Sequence, residues 1–307
     1  MIRPTMFDAF INTMSKQHVA KQAARKIVNA ANKNANDLET FAQTLIKDAH
    51  ANVGHSTRIK EVDSTAKKIQ RYLTEDFDTY NNKREEVLTM ILGEKGVGSI
   101  VGDLGGIRFW GKDSELKKIY DTTIKYAKEK KDFAVTSFEN YYGKGVNPYA
   151  TKPTLDEVAK LKYKNIFGNI KNTIVTTAEK KAGYTRDNFN AFFKGLNIEG
   201  QVGGQYTTFW GDVEHLLYDL RQGKSIDFSH YTPEQTKIAK EIIKDYKALL
   251  QNNKMHKAFM KNYLSKVWGS LRNSELQNLD IPVFPEFLAG YAPSLRAENI
   301  MKLAKIN

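Results

Sequence analysis

The chain contains no cysteine in its 307 residues, which excludes disulfides, thiolate metal sites and cysteine nucleophiles together. It has no apolar run near the roughly 18 to 20 residues needed to cross a membrane. Its start, MIRPTMFDAFINTMSKQH, lacks the basic flank and apolar stretch of a secretory signal. A cytoplasmic setting without membrane contact is therefore expected. The six histidines are scattered, with no HExxH or similar zinc spacing, so any metal should be bound through oxygen. Neither an internal repeat nor a low-complexity tract is present.

What the chain does have is bulk and positive charge. Its 41% hydrophobic and 11% aromatic residues can build a sizeable core, as one large or two modest domains. Its 47 Lys+Arg against 35 Asp+Glu give +12, which attracts polyanions across several ångströms of electrolyte. Phosphates are the expected partners. A lysine-rich composition also makes ordinary solvated surfaces, so the positions of the charges must decide.

Helical spacing runs through residues 5–50 (Phe7, Phe10, Ile11 and Met14, then Ala23 and Ile27, later Leu38, Phe41 and Leu45), broken near NKNAND. A helical run ending at Leu92 gives way to GEKGVGSIVGDLGGIRFWG, where glycines surround a short strand over residues 106–110. A helix over 113–131 and a strand over 132–138 follow. Residues 154–181 read as one or two basic helices, an insertion of about 150–182. Strands over 188–193 and 196–202 are predicted to form a hairpin about Lys194-Gly195. Beyond residue 228 the pattern returns to helices, with Thr232-Pro233 opening one that carries Ile238, Ile242, Ile243, Tyr246 and Leu249 on one side. The expectation is an α+β fold: a helical region over 1–50, a mixed-sheet core over 51–228 and a helical region over 229–307.

Three spacings carry chemistry. STRIKEVDSTAKKIQRYL gathers Arg58, Lys60, Ser64, Lys67 and Lys68, the last three on a helix with Asp63 or Ser64 as the expected cap. Forked and compact donors beside a helix N-terminus suit a triphosphate, although such a run alone is more often a solvated face. In GDLGGIRFW, Asp103 stands five residues before Arg108 at the start of a strand, where a carboxylate can hold magnesium, although Asp-Leu-Gly-Gly alone is more often a turn. Finally, the hairpin brings Tyr184, Asn188 and Glu199 toward one edge, and Glu199 supplies a second carboxylate.

In this order the blocks resemble the RelA/SpoT family of alarmone synthetases. Arg58, Lys60, Ser64, Lys67 and Lys68 fit the family's Arg-x-Lys-x3-Ser pattern and its two following basic residues. Asp103 and Arg108 fit Asp-x4-Arg, and Gly183-Tyr184 fits the Gly-Tyr block. Glu199, Gln201 and Val202, then Trp210, Glu214, His215, Leu217 and Tyr218, fit the last two blocks. The likeness covers residues 50–225. It implies a nucleotidyltransferase-like core that moves the β,γ-pyrophosphate of ATP to the ribose 3′-hydroxyl of a purine nucleotide, making (p)ppGpp or (p)ppApp. Arg58, Lys60, Ser64, Lys67, Lys68 and Arg108 would bind ATP. Asp103 and Glu199 would be catalytic and hold Mg²⁺, with Glu199 taking the proton from the hydroxyl. Tyr184, Asn188 and Gln201 would bind the acceptor, Tyr184 by stacking.

The chain departs from the family on the acceptor side. Tyr-x-Ser-x-His becomes Tyr184-Thr-Arg186-Asp-Asn188, and Gln-hydrophobic-Arg-Thr becomes Gln201-Val202-Gly203-Gly204, which removes a positive group. No hydrolase block precedes the synthetase region, so a stand-alone synthetase is expected. Two alternatives accompany it: a toxin-like relative acting on the tRNA 3′ end, and an inactive nucleotide- or RNA-binding pseudo-synthetase. For an RNA acceptor, Lys162, Lys164, Lys171, Lys180, Lys181 and Arg186 would meet backbone phosphates. The helical ends could serve a neutralising protein partner or a homo-oligomer.

Overall fold

The computed structural model describes residues 17–74, 102–142, 149, 152–164, 169–177, 184–229 and 231–304. The helical patterns expected over 5–16 and up to Leu92 lie outside the described residues. Two amphipathic helices come first among the described residues. Ala20, Ala24, Ile27 and Ala31 of α1 (Gln17–Asn32) recur at three- and four-residue spacing and are buried, as are Leu38, Phe41, Ala42 and Leu45 of α2 (Ala35–Ala49).

Then follow β1 (Gly54–Ile59), α3 (Val62–Thr74), β2 (Gly105–Gly111), α4 (Asp113–Glu129) and β3 (Phe133–Asn140). After α5 (Lys152–Ala159) come β4 (Lys162–Lys164), β5 (Ile170–Asn172) and β6 (Ile174–Thr177), and then the hairpin β7 (Asp187–Phe193) and β8 (Leu196–Gly204). Six strands form one mixed sheet in the order β1-β2-β8-β7-β3-β6, with β4 and β5 as a separate pair. β2 runs parallel to β8 and β3 parallel to β6, while the other pairings are antiparallel. The protein is thus α+β, a mixed sheet flanked by helices.

The register of this sheet decides what each face carries. Ile107 and Phe109, Ile198 and Val202, Phe189 and Ala191, Phe133 and Val135 are buried on one face. There Phe41 of α2 meets Phe133 and Phe193 at 4.9 and 4.6 Å between ring centroids. Side chains alternate along a strand, so the residues between these point the other way. Cross-strand pairing lines them up in two rows. One row reads Arg58–Gly106–Glu199–Asn190–Ser137 and the next Ser56–Arg108–Gln201–Asn188–Glu139. The hairpin that holds this alignment turns at Lys194 and Gly195, with φ of 48° and 78°. Positive φ at both positions matches the twist of a two-residue hairpin.

Two local expectations are corrected. Among the described residues of the stretch read as basic helices, only those within Lys152–Ala159 are helical, and β4, β5 and β6 occupy most of the rest. The β-branched run Thr173-Ile-Val-Thr-Thr177 is stiff at χ1 and fits a pleated surface better than a helix, and β6 duly pairs with β3. The second correction concerns α3, which opens at Val62, so Asp63 and Ser64 lie in its first turn rather than capping it. The Asp63 carboxylate pairs instead with Lys21 of α1 at 2.7 Å.

Beyond β8 the chain builds a second, all-helical core from α6 (Gln205–Arg221), α7 (Pro233–Gln251), α8 (Asn253–Asn262), α9 (Leu264–Leu276), a short 3₁₀ turn (Glu286–Gly290) and α10 (Ala297–Leu303). Thr232 caps α7 in a reciprocal box with Gln235, and Ile238, Ile242, Tyr246 and Leu249 face inward. Arg272 of α9 ties this layer to the sheet layer. It pairs with Asp113 at the start of α4 at 2.7 Å and with Glu275 at 3.1 Å. Glu275 in turn accepts hydrogen bonds from the Thr207 amide (2.8 Å) and hydroxyl (2.9 Å) in the first turn of α6. No helix among the described residues is long and apolar enough to cross a membrane.

Candidate functional site

The polar face of the sheet gathers charge at one end. Lys60 leaves the end of β1, its amide bonded to the Leu104 carbonyl at 2.8 Å, and so brings Asp103 alongside. The ammonium groups of Lys60 and of Lys68 on α3 then donate to the two oxygens of Asp103 at 2.8 and 2.6 Å. All three side chains are about four-fifths buried, with 18 to 21% exposure. Burial pushes the Asp103 carboxyl up, but the Lys68 and Lys60 charges and their hydrogen bonds outweigh it and hold the pKa at about 2.

Glu199 lies on the neighbouring parallel strand, opposite Gly106. Arg58 reaches over this glycine from β1; a Cβ there would stand only 3.1 Å from the arginine's Cγ, so the residue's lack of a side chain lets the guanidinium stem cross. The pKa of Glu199 is raised, first by burial and next by the charge of Asp103, against the opposing pull of Arg58, Lys68 and Lys60. Two carboxylates shifted in opposite directions therefore share one cationic corner. Asp103 is held ionised and Glu199 takes up a proton more readily than an ordinary carboxylate, a separation of the kind that suits one group to charge stabilisation and the other to proton transfer.

The second polar row leads away from this corner. Gln201 accepts from Arg108 Nε at 3.2 Å and from Arg186 Nη1 at 2.7 Å, and its amide nitrogen donates to Glu199 at 3.4 Å. Arg108 also pairs with Asp212 of α6 at 2.7 Å. Beyond Gln201 stand Asn188 and Tyr184, joined by a hydrogen bond of 3.2 Å from the phenol to the amide oxygen. The Tyr184 ring is met edge-on by Tyr141 at 5.5 Å and by Trp268 of α9 at 5.3 Å. Trp268 is itself held by its indole N–H, which donates to Glu214 of α6 at 2.8 Å.

Of the residues expected to bind ATP, Arg58, Lys60 and Lys68 converge on the two carboxylates, while Ser64 and Lys67 are exposed on α3 beside them. Arg108 turns toward Gln201 and Asp212 instead. The three acceptor candidates Tyr184, Asn188 and Gln201 form one continuous wall. Arg186, expected among the charges that an RNA would meet, is only 3% exposed and is an interior group. Lys162, Lys164 and Lys171 are exposed on β4 and β5, whereas Lys180 and Lys181 lie outside the described residues. Sequence reasoning missed Tyr141 and Trp268. Tyr141 follows directly on a strand of the polar face, which is a usable signal, but nothing near Trp268 in the sequence announces its contact with Tyr184. No group of three or more His, Cys, Asp or Glu residues able to hold a metal occurs among the described residues. In comparison with known proteins, no family model and no curated protein matches this chain.

Proposed function

We propose that the protein is a nucleotide pyrophosphokinase of the alarmone-synthetase kind, with a nucleotidyltransferase-like core, which transfers the β,γ-pyrophosphate of ATP to the ribose 3′-hydroxyl of a purine nucleotide. One observation carries the reading: Asp103, in the turn that leads into β2, and Glu199, on the parallel neighbour β8, share the charges of Arg58, Lys60 and Lys68 with their pKa values driven apart.

In this reading Arg58, Lys60, Lys67 and Lys68 take the triphosphate, arginine by its fork of donors and lysine as compact charge. The donor set also fits magnesium. Mg²⁺ commonly takes one or two protein carboxylates with substrate phosphate oxygens. Among the described residues Glu199 accepts a long 3.4 Å contact from Gln201, whereas both oxygens of Asp103 carry the Lys60 and Lys68 ammonium groups, which would have to turn to the phosphates for Asp103 to take the ion. Asp103 and Glu199 would hold the ion, which supplies neutralisation of phosphate charge. Tyr184 stacks on the acceptor base, and Gln201 keeps the Glu199 carboxylate facing the acceptor. Glu199 accepts the proton of the 3′-hydroxyl as its oxygen attacks the β-phosphorus. The bond from that phosphorus to the α-phosphate oxygen breaks, and AMP leaves. Positioning and charge do most of the catalysis in such transfers.

The test is incubation of the purified chain with γ-labelled ATP and, separately, GDP, GTP, AMP, ADP, ATP and deacylated tRNA. Label should appear in a 3′-pyrophosphorylated purine nucleotide. Transfer to tRNA alone would replace the mononucleotide acceptor, and no transfer to any of them would end the enzymatic reading.

A further inference from the structure

Arg186 is a buried cation that forms no ion pair with a carboxylate among the described residues. Its guanidinium donates to Gln201 Oε1 at 2.7 Å and to the Thr208 and Thr207 carbonyls at 3.0 and 3.4 Å, while its Nε finds no hydrogen-bond partner among the described residues. Its carbon centre stands 5.3 Å from the centroid of the Tyr184 ring, close enough for a cation–π contact. Two glycines make its path. A Cβ at Gly203 would sit 2.7 Å from the arginine's Cγ, and one at Gly211 would sit 2.7 Å from its Nη2. Its direct partners are neutral oxygens, and the Glu214 carboxyl feels its charge without an ion pair. Burying a charge with so little direct compensation is costly, so an arginine threaded between two glycines calls for a function.

We infer that Arg186 is the positioning residue of the acceptor wall: it fixes Tyr184 and Gln201 together and brings there the positive charge that an anionic purine nucleotide needs. This rests on the proposed transfer reaction. The guanidinium sets the Tyr184 ring by contact and turns the Gln201 oxygen toward itself. The amide nitrogen of Gln201 is thereby left to face Glu199. One side chain thus links the surface on which a base would stack to the group that would deprotonate the ribose. It also returns a guanidinium to the neighbourhood of position 203, where the sequence has glycine in place of the arginine expected from the resemblance. That guanidinium comes from the residue just before β7, whose first residue, Asp187, pairs with Val202 of β8.

The experiment compares the full chain with Arg186→Gln, Arg186→Lys and the double variant Arg186→Ser/Gly203→Arg. It measures KM for ATP and for the acceptor separately, with thermal melting as the check on folding. Arg186→Gln should raise the acceptor KM about ten-fold or more and leave that of ATP within about two-fold, in line with loss of charge-assisted bonds and ring contact. Arg186→Lys should not rescue, because an ammonium cannot span Gln201 and Thr208 while covering the ring. The double variant should recover much of the loss, since the emptied channel admits a guanidinium from position 203. An unchanged acceptor KM, or equal rises in both constants, overturns the inference; if the Gln variant does not fold, the charge-preserving Lys variant carries the same comparison. Calorimetric titration with GDP and with ADP reads the wall without turnover. Wild-type binding that weakens about ten-fold in Arg186→Gln supports the inference even if transfer fails. Equal binding overturns it alone, and no purine binding by the wild type overturns it together with the proposed function.

Discussion

Replacing Arg272 by Met should destabilise the protein chiefly through the carboxylate it leaves behind. Arg272 and Glu275 are 8% and 7% exposed in their side chains, whereas Asp113 is 26% exposed and can rehydrate. Removing one member of a buried pair costs about 3 to 5 kcal/mol, because the partner charge stays uncompensated. The cost depends on pH. The pKa of Glu275 is already raised by burial, despite the Thr207 amide and the Arg272 charge that oppose it. A carboxyl whose folded pKa lies above its unfolded value favours the fold when protonated, and that advantage is lost as pH rises through the folded pKa. Taking away Arg272 removes a group that lowers this pKa and so moves it higher still. The penalty should therefore be small near pH 5 and grow toward its full size by about pH 8. Urea unfolding followed by tryptophan emission and by far-ultraviolet dichroism measures it. The companion Glu275→Gln, added to Arg272→Met, should recover part of the loss, since the amide oxygen can still accept from the Thr207 amide. A penalty under about 1 kcal/mol at pH 8, or one that shrinks as pH rises, would refute the assignment of this cluster as the brace between the two layers.

Asp103→Ala and Glu199→Gln should each abolish transfer while far-ultraviolet dichroism stays native, and folded variants with near-native turnover would remove both residues from the chemistry. Tyr184→Ala should raise the acceptor KM far more than that of ATP, because base stacking is worth on the order of 1 to 3 kcal/mol; equal effects on both substrates would sink the stacking role. Gly200→Ala should destabilise by roughly 1 to 3 kcal/mol, since its Cβ would fall 2.0 Å from the Phe189 ring in a close-packed interior, and a melting point equal to the wild type would contradict that packing.

Parts of this architecture were legible from local pattern. Lys194-Gly195 between two alternating runs announces a hairpin, and Thr232-Pro233 with Gln235 announces a helix start, because each signal is complete within a few residues. The pairing of Lys60 with Asp103 was not legible: the sequence offered Lys60 for phosphate and Asp103 for magnesium, and 43 positions separate them. The β-strands after α5 were misread because lysines recur there at spacings a helix also allows, while the β-branched run that decides the matter is only five residues long. The burial of Arg186 was not legible at all: the space for it is cleared by glycines 17 and 25 positions downstream, in a strand and a helix whose packing no local pattern reveals. Likewise, the contact of Arg272 with Asp113 spans 159 positions.

The two polar rows impose different rules on two kinds of genetic change. A substitution within a row alters one contact and leaves its neighbours facing the same way. One residue added to or lost from the Lys194-Gly195 turn would shift β8 against β7 and, because side chains alternate, carry Glu199 and Gln201 to the apolar side while Ile198 and Val202 came out. The contacts within a row can therefore drift readily by point mutation, whereas the distance between Asn188 and Gln201 along the chain is all but forbidden to vary, and a library built on this face should hold its length constant and randomise only the row.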